Sequence, residues 1–221
     1  MSEIFPIFSK PVYAKVLDID TKKIISMYDS SKHDTKFHDA SDSSISESSD
    51  CLYVLEEKRF KSLKDELMKE FYLFASDVMR YSNKFEITTS WFAKSITGQS
   101  SSSHNHNNCM YSAVLYLQTS ENSGDIMFKS FADKRYNLVK NDYNLYNSTE
   151  WGVKPFDGLL VIFPSEVHHA IAENKSDTTR YSLAFNLIPT GLLGVESTDA
   201  NCVKIKVENP NNKLLFLKPV A

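Results

Sequence analysis

The chain carries four histidines in two tight groups, and histidine is the commonest metal ligand among side chains. His104 and His106 lie in SSSSHNHNNCMYSAVLYL, and His168 and His169 lie in LLVIFPSEVHHAIAENKS. In an extended chain, residues i and i+2 point to the same side, so His104 and His106 can reach one metal ion. Adjacent residues point to opposite sides, so only one of His168 and His169 can join them. The plainer alternative is that these histidines lie on the surface and bind no metal ion.

A second chemical signal is an arginine inside an apolar strand. Arg180 is the eleventh residue after His169 and opens the alternating segment RYSLAFN, in which Arg180 and Ser182 share one face. A buried charge without a partner is costly, and the planar fork of arginine fits a carboxylate. The segment therefore predicts a bound anion. The alternative is a structural salt bridge, for example to Asp125 or Asp157.

The most regular predicted element is an amphipathic helix within residues 57–82. Its apolar residues recur at intervals of three or four along one face: Phe60, Leu63, Leu67, Phe71, Phe74 and Val78. Polar residues such as Lys61 and Asp65 occupy the other face. This pattern is typical of a helix packed on a sheet.

Short strands follow this helix. The better-defined candidates are Glu86–Ala93, Met110–Thr119, Asp125–Ser130, Gly158–Phe163 and Arg180–Leu187. Weaker candidates are Val203–Val207 and Leu214–Leu217, and an N-terminal strand pair is predicted at Ile4–Phe8 and Val12–Leu17. No repeat with a period of about 20–50 residues indicates a solenoid. The pattern predicts a mainly β (α+β) protein, a double-stranded β-helix (jelly roll) backed by at least one long helix.

These elements predict a single domain over residues 1–221. Its expected parts are N-terminal strands at 1–27, a loop at 28–56, the supporting helix at 57–82, a jelly-roll core with the metal site at 86–194, and C-terminal strands at 195–221. The run SDSSISESSD at 41–50 is acidic and has little to bury, so we expect a solvated loop there.

Composition narrows the class of protein. The 42% hydrophobic content supports a packed core, and a net charge of −3 gives no general attraction to nucleic acid or an anionic membrane. Three cysteines without motif spacing, and an N-terminus unlike a signal peptide, predict a cytoplasmic protein. We expect no nucleic-acid or membrane partner. A homodimer through the N-terminal strands or the helical layer is compatible with the sequence.

The ordered motifs resemble the 2-oxoglutarate- and Fe(II)-dependent oxygenase superfamily, and within it a family of bacteria and their viruses with a motif close to H-x-H-P-N-S-x-x-S-G-V-Y-Y. The resemblance runs from about residue 4 to residue 194 and includes Ser90-Trp91, HNHNNCMYSAVLYL and GDIMF. It continues through the P-x-x-G-x-L-x-x-F-P-S run at 155–165. It ends at H-x(10)-R-x-S-x-x-F-N, which begins at His169, and the following Pro-Thr-Gly.

The resemblance implies a role for each matching residue. His104 and His169 match the first and last iron ligands of an H-x-D/E…H triad. Arg180 and Ser182 match the pair that binds the far carboxylate of 2-oxoglutarate, and Tyr116 lies where related enzymes place a contact to this cosubstrate. The implied activity is that of a dioxygenase using Fe(II), 2-oxoglutarate and O₂. It would hydroxylate a peptidyl residue or a small metabolite and release succinate and CO₂.

One position departs from the wider superfamily, because His106 stands where the triad has a carboxylate. The common site has two histidines and one carboxylate on one face of the iron. Three ligand sets stay open: three histidines, two histidines with water, or two histidines with an acid such as Asp125 or Glu166. Two other functions also stay open. One is a cupin-like three-His metal dioxygenase that does not use 2-oxoglutarate, in which Arg180 and Ser182 would lack a ligand. The other is a catalytically inactive jelly-roll binding protein.

Overall fold

Two antiparallel β-sheets form the framework in the computed structural model, which describes residues 3–28, 35–36, 46–49, 51–131, 138–194 and 202–207. The strands are β1 Tyr13–Val16, β2 Thr35–Lys36, β3 Glu47–Ser48, β4 Lys84–Ser95, β5 Ser101–His104, β6 Tyr111–Gln118, β7 Ile126–Lys129, β8 Glu150–Val153, β9 Leu159–Pro164, β10 His168–Ile171, β11 Arg180–Leu193 and β12 Val203–Ile205. The helices are α1 Thr21–Met27 and α2 Lys61–Tyr72. Two 3₁₀ turns, Val54–Glu56 and Lys58–Phe60, precede α2, and a π-helical segment, Leu73–Val78, continues it.

The strand order is that of a double-stranded β-helix. The larger sheet runs β1-β9-β6-β11-β4-β3-β2, with β12 paired to β11, and the smaller sheet runs β5-β10-β7-β8. Strands β4 to β7 alternate between the two sheets, and so do β8 to β11. This topology confirms the predicted jelly roll. No helix among the described residues has the length and apolar character needed to cross a membrane.

The predicted helix packs on the outer face of the larger sheet. Its buried residues Leu63, Leu67 and Phe71 join one apolar cluster with Leu183 and Phe185 of β11. The stripe is shorter than predicted, since Val78 is 58% exposed. A second cluster, formed by residues such as Val161 and Phe163 of β9 together with β6 and β7, fills the space between the sheets. Burial on both faces explains the nearly continuous apolar sequences of β6 and β9.

Several element predictions need correction. Residues 4–8 form no strand, and the backbone of Pro6 has no N–H to donate. The N-terminal strand β1 pairs with β9 instead. Helix α1, capped by the Asp20 side chain, lies where only strands were predicted. Within the predicted 28–56 loop, Glu47–Ser48 pairs with β4, while residues 41–45 and 50 and the candidate strand 214–217 lie outside the described residues.

Replacing Leu67 tests the packing of α2 on the sheet. Leu67→Ala is expected to lower the free energy of unfolding by about 2–5 kcal/mol, because its side chain is fully buried in the apolar cluster. Lys61→Ala is the control on the same helix. The Lys61 side chain is 76% exposed, and the free energy of unfolding should change by less than about 0.5 kcal/mol. Urea denaturation followed by circular dichroism measures both values, and equal small losses would contradict the packing.

Candidate active site

Three histidine rings meet in one cavity between the sheets. One nitrogen from each of His104, His106 and His169 lies within 4.8 Å of the others. His104 ends β5 and is paired in register with His169 of β10, so backbone hydrogen bonding brings these two distant segments together. His106 lies two residues beyond β5. Within the described ranges, no other cluster of three histidine, cysteine or acidic side chains has this spacing.

In all three rings the Nδ1 atom is hydrogen-bonded, which leaves the Nε2 atom for a metal ion. The Nδ1 atoms of His104, His106 and His169 contact, respectively, the carbonyl of Ser102 at 2.8 Å, the Asn186 Oδ1 at 2.7 Å and the carbonyl of Val167 at 3.1 Å. Carbonyl oxygens accept but cannot donate, so each Nδ1 carries the hydrogen. The lone pair then lies on Nε2, as in metal sites whose histidines are oriented by a second hydrogen bond.

Burial favours the neutral form of two of these rings. It lowers the pKa of His106, and it lowers the pKa of His169 to about 3, with a further contribution from the nearby His104. Metal binding requires the neutral imidazole. The cavity therefore holds these two rings in the protonation state that a metal ion needs.

The remaining candidate ligands lie elsewhere. His168 points away from the cluster, and its ring contacts the Phe131 ring at a centroid distance of 4.5 Å. Glu166 forms an exposed ion pair with Lys10 at 3.5 Å. Asp125 does not line the cavity. Of the ligand sets that the sequence left open, the geometry thus brings together the three histidines and no acid among the described residues.

Arg180 is buried at the start of β11, with 4% of its surface exposed. Its Nη1 atom donates to the carbonyl oxygens of Ser123 at 2.6 Å and Gly124 at 3.3 Å. In the part of the chain that the structure describes, no carboxylate lies within ion-pair distance of the guanidinium. The alternative salt bridge to Asp125 or Asp157 is therefore not formed. Burial lowers the pKa of Arg180, but a guanidinium stays protonated in proteins.

Ser182 and Tyr116 line the same cavity as this guanidinium. They are paired in register on β11 and β6. The Tyr116 hydroxyl is buried and makes no hydrogen bond to the described residues. Burial raises the pKa of Tyr116 to about 12, so the phenol keeps its proton and can donate a hydrogen bond to an anion.

A cavity of about 510 Å³ connects these groups. It is lined by all six residues singled out from the sequence: His104, His106, His169, Arg180, Ser182 and Tyr116. Its volume lies in the range of small-molecule sites, about 300–1,000 Å³. The sequence analysis gave no role to other lining residues, among them Glu47 of β3, Ser112 of β6 and Asn186 of β11. The alternation of β11 could have identified Asn186 as a cavity residue, since it lies on the same face of the strand as Arg180.

Comparison with known proteins agrees with this geometry. Residues 89–186 match the family described as "Putative 2OG-Fe(II) oxygenase". No curated protein sequence matches the chain significantly. The matched region contains every candidate ligand, so the resemblance predicted from the motifs is confirmed for the part of the chain that forms the site.

Solved structures show the same fold at low sequence identity. A Pseudomonas putida prolyl-4-hydroxylase is 16% identical, with coverage of 83% of this chain and 95% of that chain and a TM-score of 0.57. A Trichoplax adhaerens prolyl hydroxylase in complex with a hypoxia inducible factor peptide fragment is 12% identical (81% and 83% covered, TM-score 0.58). HygX from Streptomyces hygroscopicus, with nickel, 2-oxoglutarate and hygromycin B bound, is also 12% identical (82% and 84%, TM-score 0.55). The chain has the fold of the 2OG-Fe(II) oxygenases, and the region that bears the site matches the model of that family.

If the three histidines bind a metal ion, the stability of the protein depends on that ion. Anaerobic Fe(II) at about 100 times its Kd should raise the free energy of unfolding by about 2.7 kcal/mol. His169→Ala should abolish this effect, because it removes one donor from the cluster. His168→Ala is the control, since the adjacent ring points away. Thermal unfolding with and without Fe(II) measures the difference, and an equal response of the two variants would contradict the assignment.

Gly124 predicts a steric requirement beside Arg180. Its φ is +92°, and an added Cβ would overlap the Ala172 carbonyl oxygen and lie 2.9 Å from Arg180 Nη1. Gly98 has a similar φ of +84° with nothing within 4 Å of an added Cβ. Gly98→Ala should therefore cost only the left-handed backbone penalty, about 1–2 kcal/mol. Gly124→Ala should cost clearly more in urea denaturation, and equal losses would show that the close approach is unimportant.

Proposed function

We propose that this protein is a non-haem Fe(II)- and 2-oxoglutarate-dependent dioxygenase that hydroxylates a substrate C–H bond. One observation carries the proposal: a buried guanidinium with no carboxylate partner among the described residues shares a cavity with three imidazole Nε2 atoms. The guanidinium requires an anion. The imidazoles suit iron and leave other coordination positions for further ligands.

The donor set fits a divalent iron ion with this cosubstrate. His104, His106 and His169 would hold Fe(II) as neutral ligands, and 2-oxoglutarate brings two negative charges that oppose those of Fe(II) and Arg180. When bound, Fe(II), 2-oxoglutarate and O₂ supply the oxidation, in which the cosubstrate becomes succinate and CO₂ and one oxygen atom enters the substrate.

The side chains of the cavity bind and orient the cosubstrate. Arg180 would bind its far carboxylate with a charge-assisted pair of hydrogen bonds. The hydroxyls of Ser182 and Tyr116 would donate to the same anion, which gives the buried Tyr116 hydroxyl its missing partner. Apolar residues, including Ile126 and Phe163, form part of the wall and limit the entry of water. Lower polarity around the anion strengthens each of these contacts.

The ligands of two similar structures suggest which substrates the protein would hydroxylate. The Trichoplax adhaerens structure contains a peptide fragment, and HygX contains hygromycin B. A peptidyl residue and a small metabolite are thus the two substrate classes that we propose for hydroxylation. The homodimer and the cytoplasmic location stay predictions from the sequence.

A cupin-like three-His dioxygenase without 2-oxoglutarate is a second candidate. The cluster of three histidines favours it, because no acid among the described residues joins the ligand set. Arg180 and Ser182 count against it. In that enzyme the buried guanidinium would keep only the two carbonyl contacts and would lack an anion.

Arg180→Ala tests the cosubstrate site directly. Addition of 2-oxoglutarate to the anaerobic Fe(II) protein should produce a weak visible charge-transfer band. Arg180→Ala should weaken 2-oxoglutarate binding by about 100-fold, because hydrogen bonds to a charged group are lost. The affinity for Fe(II) alone should stay the same. Arg59→Ala is the control, since this arginine pairs with Glu57 outside the cavity.

The outcomes separate the candidate functions. Iron binding without any response to 2-oxoglutarate would favour the three-His dioxygenase. Absence of iron binding would overturn both enzyme proposals and favour an inactive binding protein. An Arg180→Ala variant that binds 2-oxoglutarate as tightly as the parent would overturn the assignment of Arg180.

A further inference from the structure

The His106 ring is not oriented by strand pairing, unlike the other two rings. His104 and His169 lie opposite each other in the register of the smaller sheet. His106 lies beyond the end of β5, in a segment without regular structure. A neutral imidazole has only one nitrogen with a lone pair that can bind a metal ion, so the ring must be oriented with that nitrogen toward the ion. Some other contact has to fix this ring.

That contact is a polar network reaching the larger sheet. His106 Nδ1 lies 2.7 Å from Asn186 Oδ1 and 3.0 Å from Ser112 Oγ. Asn186 Nδ2 donates to Thr89 Oγ1 at 2.9 Å. Because the amide nitrogen is engaged by Thr89, the oxygen is the atom that faces His106. The amide oxygen therefore accepts the hydrogen on Nδ1, and Nε2 keeps the lone pair that can bind a metal ion.

Two buried serines complete the network. The Ser112 hydroxyl donates to Asn186 Oδ1 at 2.8 Å and lies 2.9 Å from the Ser165 hydroxyl. Both serines are at most 1% exposed. The Ser165 carbonyl accepts the backbone N–H of His106 at 3.0 Å. The ring and the backbone of His106 are thus held by connected groups, which restricts the rotation of the side chain.

We propose that Asn186 is a positioning residue that turns His106 Nε2 toward the metal ion and so completes a three-His ligand set. This inference rests on the proposed metal-dependent function. Asn186 occupies the same face of β11 as Arg180 and Ser182, so one strand places both the anion-binding group and the support of the third ligand. A neutral amide fixes the ring without adding a negative charge to the site.

Metal affinity, measured without turnover, tests this role. Anaerobic titration with Co(II) and no cosubstrate should show about 10–100-fold weaker binding for Asn186→Leu, the usual cost of losing a residue that orients a ligand. Asn186→Asp keeps the acceptor and should retain affinity close to that of the parent. Gln118→Leu is the matched control, because its amide donates to the Thr179 carbonyl and does not line the cavity.

A double-mutant comparison separates positioning from a general loss of structure. If Asn186 acts through His106, Asn186→Leu should cause no further loss of Co(II) affinity in a His106→Ala protein. If Asn186→Leu fails to fold, Thr89→Val provides the test, because it removes the acceptor that orients the amide. Thr89→Val should then weaken Co(II) binding, again only when His106 is present.

The results also distinguish this inference from the proposed function. Tight Co(II) binding by the parent with unchanged affinity in Asn186→Leu, or in Thr89→Val where that variant replaces it, would overturn the positioning role alone. Equal losses with and without His106 would also overturn it, since Asn186 would then act on the whole site. A parent protein that binds no Co(II) would overturn the positioning role and the metal-dependent function together.

Discussion

The buried guanidinium of Arg180 is the constraint on which the rest of the site depends. Its charge is removed from water between two sheets, and two carbonyl contacts compensate only part of the lost hydration. Those contacts require Gly124, because a side chain there would collide with the backbone of Ala172, just beyond β10, and with Arg180 itself. An anion bound in the cavity would supply the missing charge. The backbone conformation at Gly124 therefore permits the burial of Arg180, and the buried charge in turn favours binding of an anion.

Strand β11 connects this arrangement to the stability of the fold. Its alternation places Arg180, Ser182 and Asn186 in the cavity, while Leu183 and Phe185 pack in the cluster that includes α2. One strand supplies residues to both faces of the sheet. Packing of α2 against the outer face therefore also fixes the positions of the site residues on the inner face. A slip of one residue would exchange the two sets. Packing of the apolar face thus determines where the polar face lies.

The sequence predicted the parts of this structure that follow a local period. The α2 stripe, the alternation after Arg180 and the opposite directions of His168 and His169 are all properties of consecutive residues. Short strands were missed, because β5 and β10 are four residues long and have polar or mixed sequences. Their pairing depends on contacts between segments more than 60 positions apart, which local patterns do not encode. For the same reason the sequence identified Asn186 as a residue of the motif but not as the partner of His106.

The charge balance explains why a neutral residue supports His106. A carboxylate in the proposed ligand set would cancel one unit of positive charge, whereas three neutral imidazoles would leave the full charge of a divalent ion near Arg180. Glu47 is the only acidic residue among the described lining residues, and it is paired with Lys94 at 3.2 Å. With a divalent ion bound, the cavity would therefore carry a surplus of positive charge, which suits the dianionic cosubstrate proposed above. An aspartate at position 186 would reduce that surplus, whereas the neutral amide of Asn186 contacts the His106 ring without adding a negative charge.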